Sequence, residues 1–142
     1  MLTPDDLMAK GVGVITSDRP VVIVDDDRFY MASVLAEFLA NAGLEVTFVT
    51  PTAVVSPWSE NTLEQDRIQR RLVEKNVAIM PLNKLADMSD ETLTLACTYT
   101  GATHEIACGK LVMVTSRTPN DALWHGLEAV KDRWADAGRL PS

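Results

Sequence analysis

Cysteine is scarce in this chain. There are only two, Cys97 and Cys108, and they do not form a CxxC pair. That excludes a disulfide framework and a four-cysteine metal or iron–sulfur site built from these residues alone. Two lone cysteines read as reduced thiols, so the expected compartment is reducing and cytoplasmic. Basic residues are in deficit: 13 Lys and Arg stand against 20 Asp and Glu, for a net charge of −7. An acidic surface argues against nucleic acid and anionic membranes, since both require a basic patch. No apolar run approaches the ~20 residues of a membrane span. Asp5 and Asp6 sit where a secretory signal would be basic and then apolar, so no signal peptide is expected. Histidine is rare too, with only His104 and His125.

The chain has 142 residues, 46% hydrophobic and 23% charged. That suits one globular domain with a real core. Residues 1–19, with Gly11 and Gly13, read as an irregular linker. Val21-Val22-Ile23-Val24 is a short, β-branched, all-apolar run, the pattern of a strand buried on both faces of a parallel sheet. A helix should follow, with Met31, Val34, Leu35, Phe38, Leu39 and Ala42 as its apolar stripe and Gly43 at its end. Residues 45–50 are the second strand, completing a βαβ unit. Asn61 and Glu64 have the spacing of a cap and its reciprocal partner, opening a polar helix to Asn76 with Leu63, Ile68, Leu72 and Val73 inward. Residues 77–80 form a third parallel strand. Residues 92–100 and 104–108 alternate with period two around Gly101-Ala102, an antiparallel meander. Residues 111–114 return to the parallel type. Asn120 should cap a last helix with Leu123, Leu127, Val130 and Trp134 on its inner face, ending near Gly138. The expected fold is α/β: a Rossmann-like, three-layer nucleotide-binding domain with a parallel sheet and a β-meander. Its order of elements resembles the pyridine-nucleotide domain of disulfide-reductase-like flavoproteins. The domain is expected over 20–138, with 139–142 a C-terminal tail.

In such a fold the first strand runs into G-x-G-x-x-G, and its glycines let a pyrophosphate approach backbone N–H groups at a helix N-terminus. Here those glycines are missing. Asp25 and Asp27 take the first two positions, and Ala32, followed by Ser33, takes the third after a longer loop. Carboxylates there would occupy the anion site, support the following helix and repel phosphate. Two like charges ~4 Å apart cost about 1 kcal/mol in water and about 4 kcal/mol at an effective dielectric of 20. The second strand ends in Thr50, where an acid for a ribose hydroxyl or a nearby base for a 2′-phosphate is expected. The candidate site residues are therefore Asp25, Asp27, Ala32, Ser33 and Thr50, the positions of a degenerate dinucleotide site. No catalytic and no metal-ligating residue is expected.

Thr3-Pro4-Asp5-Asp6-Leu7-Met8, the stretch from Val21 through Asp25-Asp26-Asp27-Arg28-Phe29-Tyr30-Met31 to Glu37, and Ala42-Gly43-Leu44-Glu45-Val46-Thr47 carry a resemblance. So do Asn61-Thr62-Leu63-Glu64, 111–117 and Asp121-Ala122-Leu123-Trp124. Together they resemble the trimethylamine/dimethylamine dehydrogenase-like family of NADH:flavin oxidoreductases over nearly the whole chain. The Asp-rich loop ending in Tyr30-Met31 is the most specific part. The resemblance implies a multidomain parent. A barrel would hold FMN and a cysteine-bound [4Fe-4S] cluster, and a following module would hold ADP or FAD. This chain would be the NADH-domain-like insertion in that module. No cofactor is then expected within it, and by itself it would not be catalytic. Its partners would be the other domains of the parent and, in the amine-dehydrogenase branch, an electron-transfer flavoprotein. The alternative is a working NAD(P)H domain, as in the reductase branch, which keeps its glycines. A stand-alone binding protein is a third reading. This sequence departs from the family it resembles at Ala32-Ser33, which stand in place of a usual Gly-Gly.

The remaining candidates have simpler readings. His104 and His125 are expected to be solvated. Arg67, Arg70, Arg71 and Lys75 are interleaved with Glu64, Asp66 and Glu74 and read as a solvated helix face. Trp58 reads equally as an interdomain contact or as packing. Trp124 and Trp134 read as core. A domain taken from a larger protein should bare apolar surface near its first residues and its last helix.

Overall fold

The computed structural model describes residues 1–116 and 120–131. Its elements are α1 (Pro4–Lys10), β1 (Val21–Asp25), α2 (Met31–Asn41), β2 (Val46–Val49), α3 (Gln65–Glu74), β3 (Ala78–Met80), β4 (Asn83–Met88), β5 (Thr92–Cys97), β6 (Thr103–Ala107), β7 (Lys110–Val114) and α4 (Ala122–Glu128). Short 3-10 turns cover Gly11–Val14 and Pro57–Thr62.

Four strands form a parallel sheet in the order β3-β2-β1-β7. All five residues of β1 are buried, because a strand in the middle of a covered parallel sheet has no wet face. Alternation along it feeds two cores. Val21 and Ile23 face the helices, packed with Leu35, Leu39, Phe48 and Val112. Val22 and Val24 face the other way, with Leu93, Leu95 and Leu111. The second core is roofed by an antiparallel sheet, β4-β5-β6. Helices, parallel sheet and meander make three layers, as the sequence order implies.

Several local expectations are corrected. Residues 1–19 are not an irregular linker. Thr3 and Asp6 form a reciprocal capping box, Pro4 starts the helix, and α1 buries Leu7 in the helix-side core. Leu2 also forms a parallel bridge to Val112 at the outer edge of β7. The buried stripe of α2 is rotated from the expected one. Ala32, Leu35, Ala36 and Leu39 are buried, whereas Val34 is 51% and Phe38 43% exposed. Alanines let the helix lie close on the sheet, which bulky residues at those positions would prevent.

α3 starts later than expected, at Gln65. Asn61 does not cap it; its amide donates to the Trp58 carbonyl at 3.2 Å and closes the 3-10 turn. Leu63, with φ of 59°, then breaks the chain direction and is almost fully exposed, as Val73 is largely exposed. β4 was not expected. It pairs with β5 through a bulge between Leu85 and Asp87, which disrupts the two-residue alternation that would have revealed it. β5 stops at Cys97, and Thr98–Thr100 lead into the turn at Gly101.

The last helix is also different. Asp121, not Asn120, precedes it, without a side-chain cap. Leu123 and Trp124 are largely exposed, so Trp124 is not core. Trp134 and Gly138 lie outside the described residues.

Gly109 enters β7 pressed against the turn before β1. Its N–H donates to the Pro20 carbonyl at 2.9 Å. A Cβ there would meet the Arg19 carbonyl oxygen at 2.7 Å and the Ser17 hydroxyl at 2.3 Å. Gly109→Ala is expected to cost about 1–3 kcal/mol in urea unfolding, because the backbone oxygen cannot move aside cheaply. An unchanged midpoint would contradict that packing.

Candidate nucleotide site

The parallel order places β2 on one side of β1 and β7 on the other. Between the C-terminal ends of β1 and β7 the connections diverge, and open α/β sheets take their ligands at such a crevice. The β1–α2 turn borders it, so the sequence-derived acids do stand at the fold's binding position.

Their geometry is specific. Asp25 is fully buried at the end of β1. Its Oδ1 accepts the Arg28 N–H at 2.9 Å, while its Oδ2 is buried without a hydrogen-bond partner. Burial, with the Asp27 and Asp26 charges adding to it, pushes the carboxyl up to about 6. The amides of Asp26 and Asp27 both donate to the Val114 carbonyl, at 2.8 and 3.2 Å. Arg28 sits at φ of 64°, a conformation that favours glycine. Its guanidinium pairs with Asp26 at 3.4 Å. The first three amides after Asp25 thus point at β7 or back at β1. Nor do the acids cap α2: Tyr30 holds that place, with no side-chain cap bond. The expected support of the helix by the acids is corrected, because the buried Asp25 carboxyl accepts the Arg28 amide and closes the turn instead.

Ala32 is fully buried against the sheet. Ser33 is nearly so, and its hydroxyl donates to the Tyr30 carbonyl at 2.8 Å and accepts from the Ser56 hydroxyl at 3.1 Å. Ser56 lies at φ of 50° in the β2–α3 loop, and Ser59 donates to its carbonyl at 2.6 Å. The Trp58 N–H donates to the Arg28 carbonyl at 3.2 Å. Ser33 therefore clips the β2–α3 loop onto the start of α2, a role that only the distant pairing with Ser56 discloses. Ser33→Ala leaves the buried Ser56 hydroxyl short of its acceptor. We expect a loss of about 1–2 kcal/mol in urea unfolding, with faster proteolysis between residues 51 and 62. Unchanged cleavage would argue against the clip.

Thr50 is buried in a separate network. Its hydroxyl meets that of Thr52 at 2.9 Å, its N–H donates to Met80, and its carbonyl accepts from Asn83. It is thus engaged in holding the ends of β2 and β3.

The crevice itself is a cavity of about 210 Å³ lined by Pro4, Asp27, Phe29, Tyr30, Met31, Val114 and Thr115. Small-molecule sites ordinarily occupy about 300–1,000 Å³. Pro4, from the segment expected to be a linker, is part of its wall. Phe29 and Tyr30 stack edge to face, with centroids 4.8 Å apart. A second cavity, about 310 Å³, lies between α2 and α3. Its rim charges are already paired, Arg67 with Glu64 at 2.6 Å and Arg71 with Glu37 at 3.6 Å.

Among the described residues no cluster of His, Cys, Asp and Glu could hold a metal ion. Cys97 and Cys108 are free thiols. Burial pushes Cys108 up, while hydrogen bonds from the Thr100 hydroxyl and amide hold Cys97 below its ordinary value. His104 is exposed on β6, and His125 is exposed on α4, 3.1 Å from Asp121. No helix among the described residues is long and apolar enough to cross a membrane.

Known proteins resemble this chain closely. It is 28% identical to the dimethylamine dehydrogenase of Hyphomicrobium sp. (strain x), over 97% of this chain and 21% of that protein. The structure of histamine dehydrogenase from Rhizobium sp. 4-9 superposes with a TM-score of 0.82 at 42% identity, over 96% of this chain and 21% of that one. The chain therefore spans about a fifth of the length of these relatives. Bacillithiol disulfide reductase from Staphylococcus aureus shares the fold alone, with a TM-score of 0.57 at 17% identity over 72% of this chain and 30% of that one. The expected likeness of fold to disulfide-reductase-like flavoproteins holds. Residues 2–130 match the family described as OYE-like second alpha/beta domain, and the chain belongs to that family.

Proposed function

We propose that this chain is a non-catalytic domain of a larger FMN- and [4Fe-4S]-containing oxidoreductase that oxidises amines. Its dinucleotide site is closed, and it serves to complete a neighbouring ADP- or FAD-holding module and to shape the surface where an electron-transfer flavoprotein docks. The flavin, the cluster and the catalytic residues would be held by other segments of the parent. The observation that carries this reading is the use of the turn's amides. Those of Asp26 and Asp27 go to Val114 and that of Arg28 to Asp25, so they are not free to receive a pyrophosphate. A dinucleotide does not fit these residues. The site positions Asp25, Asp27, Ala32, Ser33 and Thr50 would then have structural roles only.

Exposed apolar side chains support the docking part. Tyr30, Val34 and Phe38 recur every four residues along the outer face of α2, each between 43% and 51% exposed. Leu123 and Trp124 stand out on α4. Apolar surface of this kind is usually covered by a partner or another domain.

The test is calorimetry of the 142-residue chain with NADH, NADPH and ADP. No saturable heat is expected at up to millimolar ligand. Binding of NADH or NADPH at micromolar concentration would favour instead a working NAD(P)H domain, the reading that the fold alone suggests.

A further inference from the structure

The geometry points to Asp25 as a proton-operated latch on the β1–α2 turn, closed when the carboxyl is neutral and loosened when it ionises. The latch concerns the turn itself and does not depend on the docking role. Its parts are few. The Asp25 side chain is wholly buried, one oxygen takes the Arg28 amide, and the other has no partner. A neutral carboxyl tolerates such a place far better than a carboxylate, which requires partners on both oxygens or contact with water. Opening the turn would let water reach the orphaned oxygen.

The turn is built so that it can yield. Arg28 is held at φ of 64° and would relax if released. The two bonds that tie the turn to β7 converge on a single carbonyl, that of Val114, and the longer is 3.2 Å. The Trp58 amide binds the Arg28 carbonyl, so movement at Arg28 is passed to the β2–α3 loop.

The surrounding charges oppose ionisation. From its own turn Asp25 is faced by the carboxylates of Asp26 and Asp27, and the one cation there, Arg28, is turned to Asp26. β7 contributes Val114, with Thr115 just beyond it, the β2–α3 loop contributes the Trp58 amide, and α1 brings the uncharged Pro4 to the adjoining cavity. The carboxyl accordingly lies near 6, inside the range where ordinary changes of pH would operate it.

Two measurements on the unaltered chain test the latch. Carbon-detected NMR of the aspartate carboxyls follows Asp25 directly. Amide hydrogen exchange, corrected for the intrinsic pH dependence, follows Asp26, Asp27, Arg28 and Trp58. Asp25 should titrate near 6, and protection of the four amides should fall at least tenfold between pH 5 and 7.5 with the same midpoint. Asp25→Asn should abolish that fall, and Asp27→Asn should retain it. Titration of Asp25 at an ordinary carboxylate value would overturn the latch. So would amide protection that is flat or has a different midpoint, and these readouts stand even if Asp25→Asn does not fold.

Discussion

Leu7→Ala should lower the unfolding free energy by about 2–5 kcal/mol, the range for emptying a well-packed leucine site. Leu7 is only 1% exposed and joins Val112, Val114 and Leu35 in the helix-side core. For a domain of this size each kcal/mol should lower the melting temperature by about 3 °C or more. Urea and thermal unfolding both read the effect. A tether outside the domain would show less than about 0.5 kcal/mol, and that result would restore the linker reading of residues 1–19. The loss should also extend to the crevice. Pro4 reaches that cavity only because α1 is anchored by Leu7 and by the Leu2–Val112 bridge.

The second large effect is a dependence of stability on pH that runs opposite to the usual carboxylate. Asp25 rises from its ordinary 3.8 to about 6 in the folded chain, chiefly through burial. Between those values the folded state keeps a proton that the unfolded state has released. Its stabilising contribution is therefore complete below pH 3.8, declines as pH rises, and is gone above about pH 6. At about 1.4 kcal/mol for each pH unit between the two values, that amounts to about 2–3 kcal/mol. Asp6 acts in the ordinary direction. The Thr3 amide and hydroxyl hold it at about 2, so its contribution is present above 3.8 and lost as pH falls through 2. The two windows do not overlap. The comparison that isolates Asp25 is wild type against Asp25→Asn, by urea unfolding at pH 4, 5, 6 and 7. Wild type should lose about 2–3 kcal/mol relative to the variant over that range, then run parallel to it. A constant difference would mean that the buried carboxyl is not perturbed.

Much of the layer order was readable from pattern. Val21–Val24 and Leu111–Val114 are apolar at every position because both faces of their sheet are covered. Leu93 and Leu95 alternate with threonines because one face of the meander is covered and the other is wetter. Where the reading failed, a local signal was present but outweighed. Thr3-Pro4-Asp5-Asp6 is a helix start, yet Gly11 and Gly13 suggested a linker. Asn61 and Glu64 have capping spacing, yet Pro57 had already committed the chain to a 3-10 turn. In α2 the bulkier side chains were taken as the inner face, although the smaller ones lie there.

The site divides in the same way. The missing glycines and the acids that replace them could be read from order alone. That Asp25 turns inward to hold Arg28, while Asp26 and Asp27 offer their amides to Val114, could not. Nor could the Ser33–Ser56 clip. Arg28 apart, the partners of these groups lie 23 to 88 residues away along the chain, brought near by the stacking of strands.

By itself the sequence determined the elements other than α1 and β4, the three layers, the family and the loss of a glycine-rich phosphate turn, because each of these is written in local composition and spacing. Only the tertiary structure decided which amides the turn spends and on what, which face of α2 is buried, and that α1 is part of the domain. Those outcomes depend on distances between segments remote in sequence, and a buried polar group takes whichever partner the packing brings within reach.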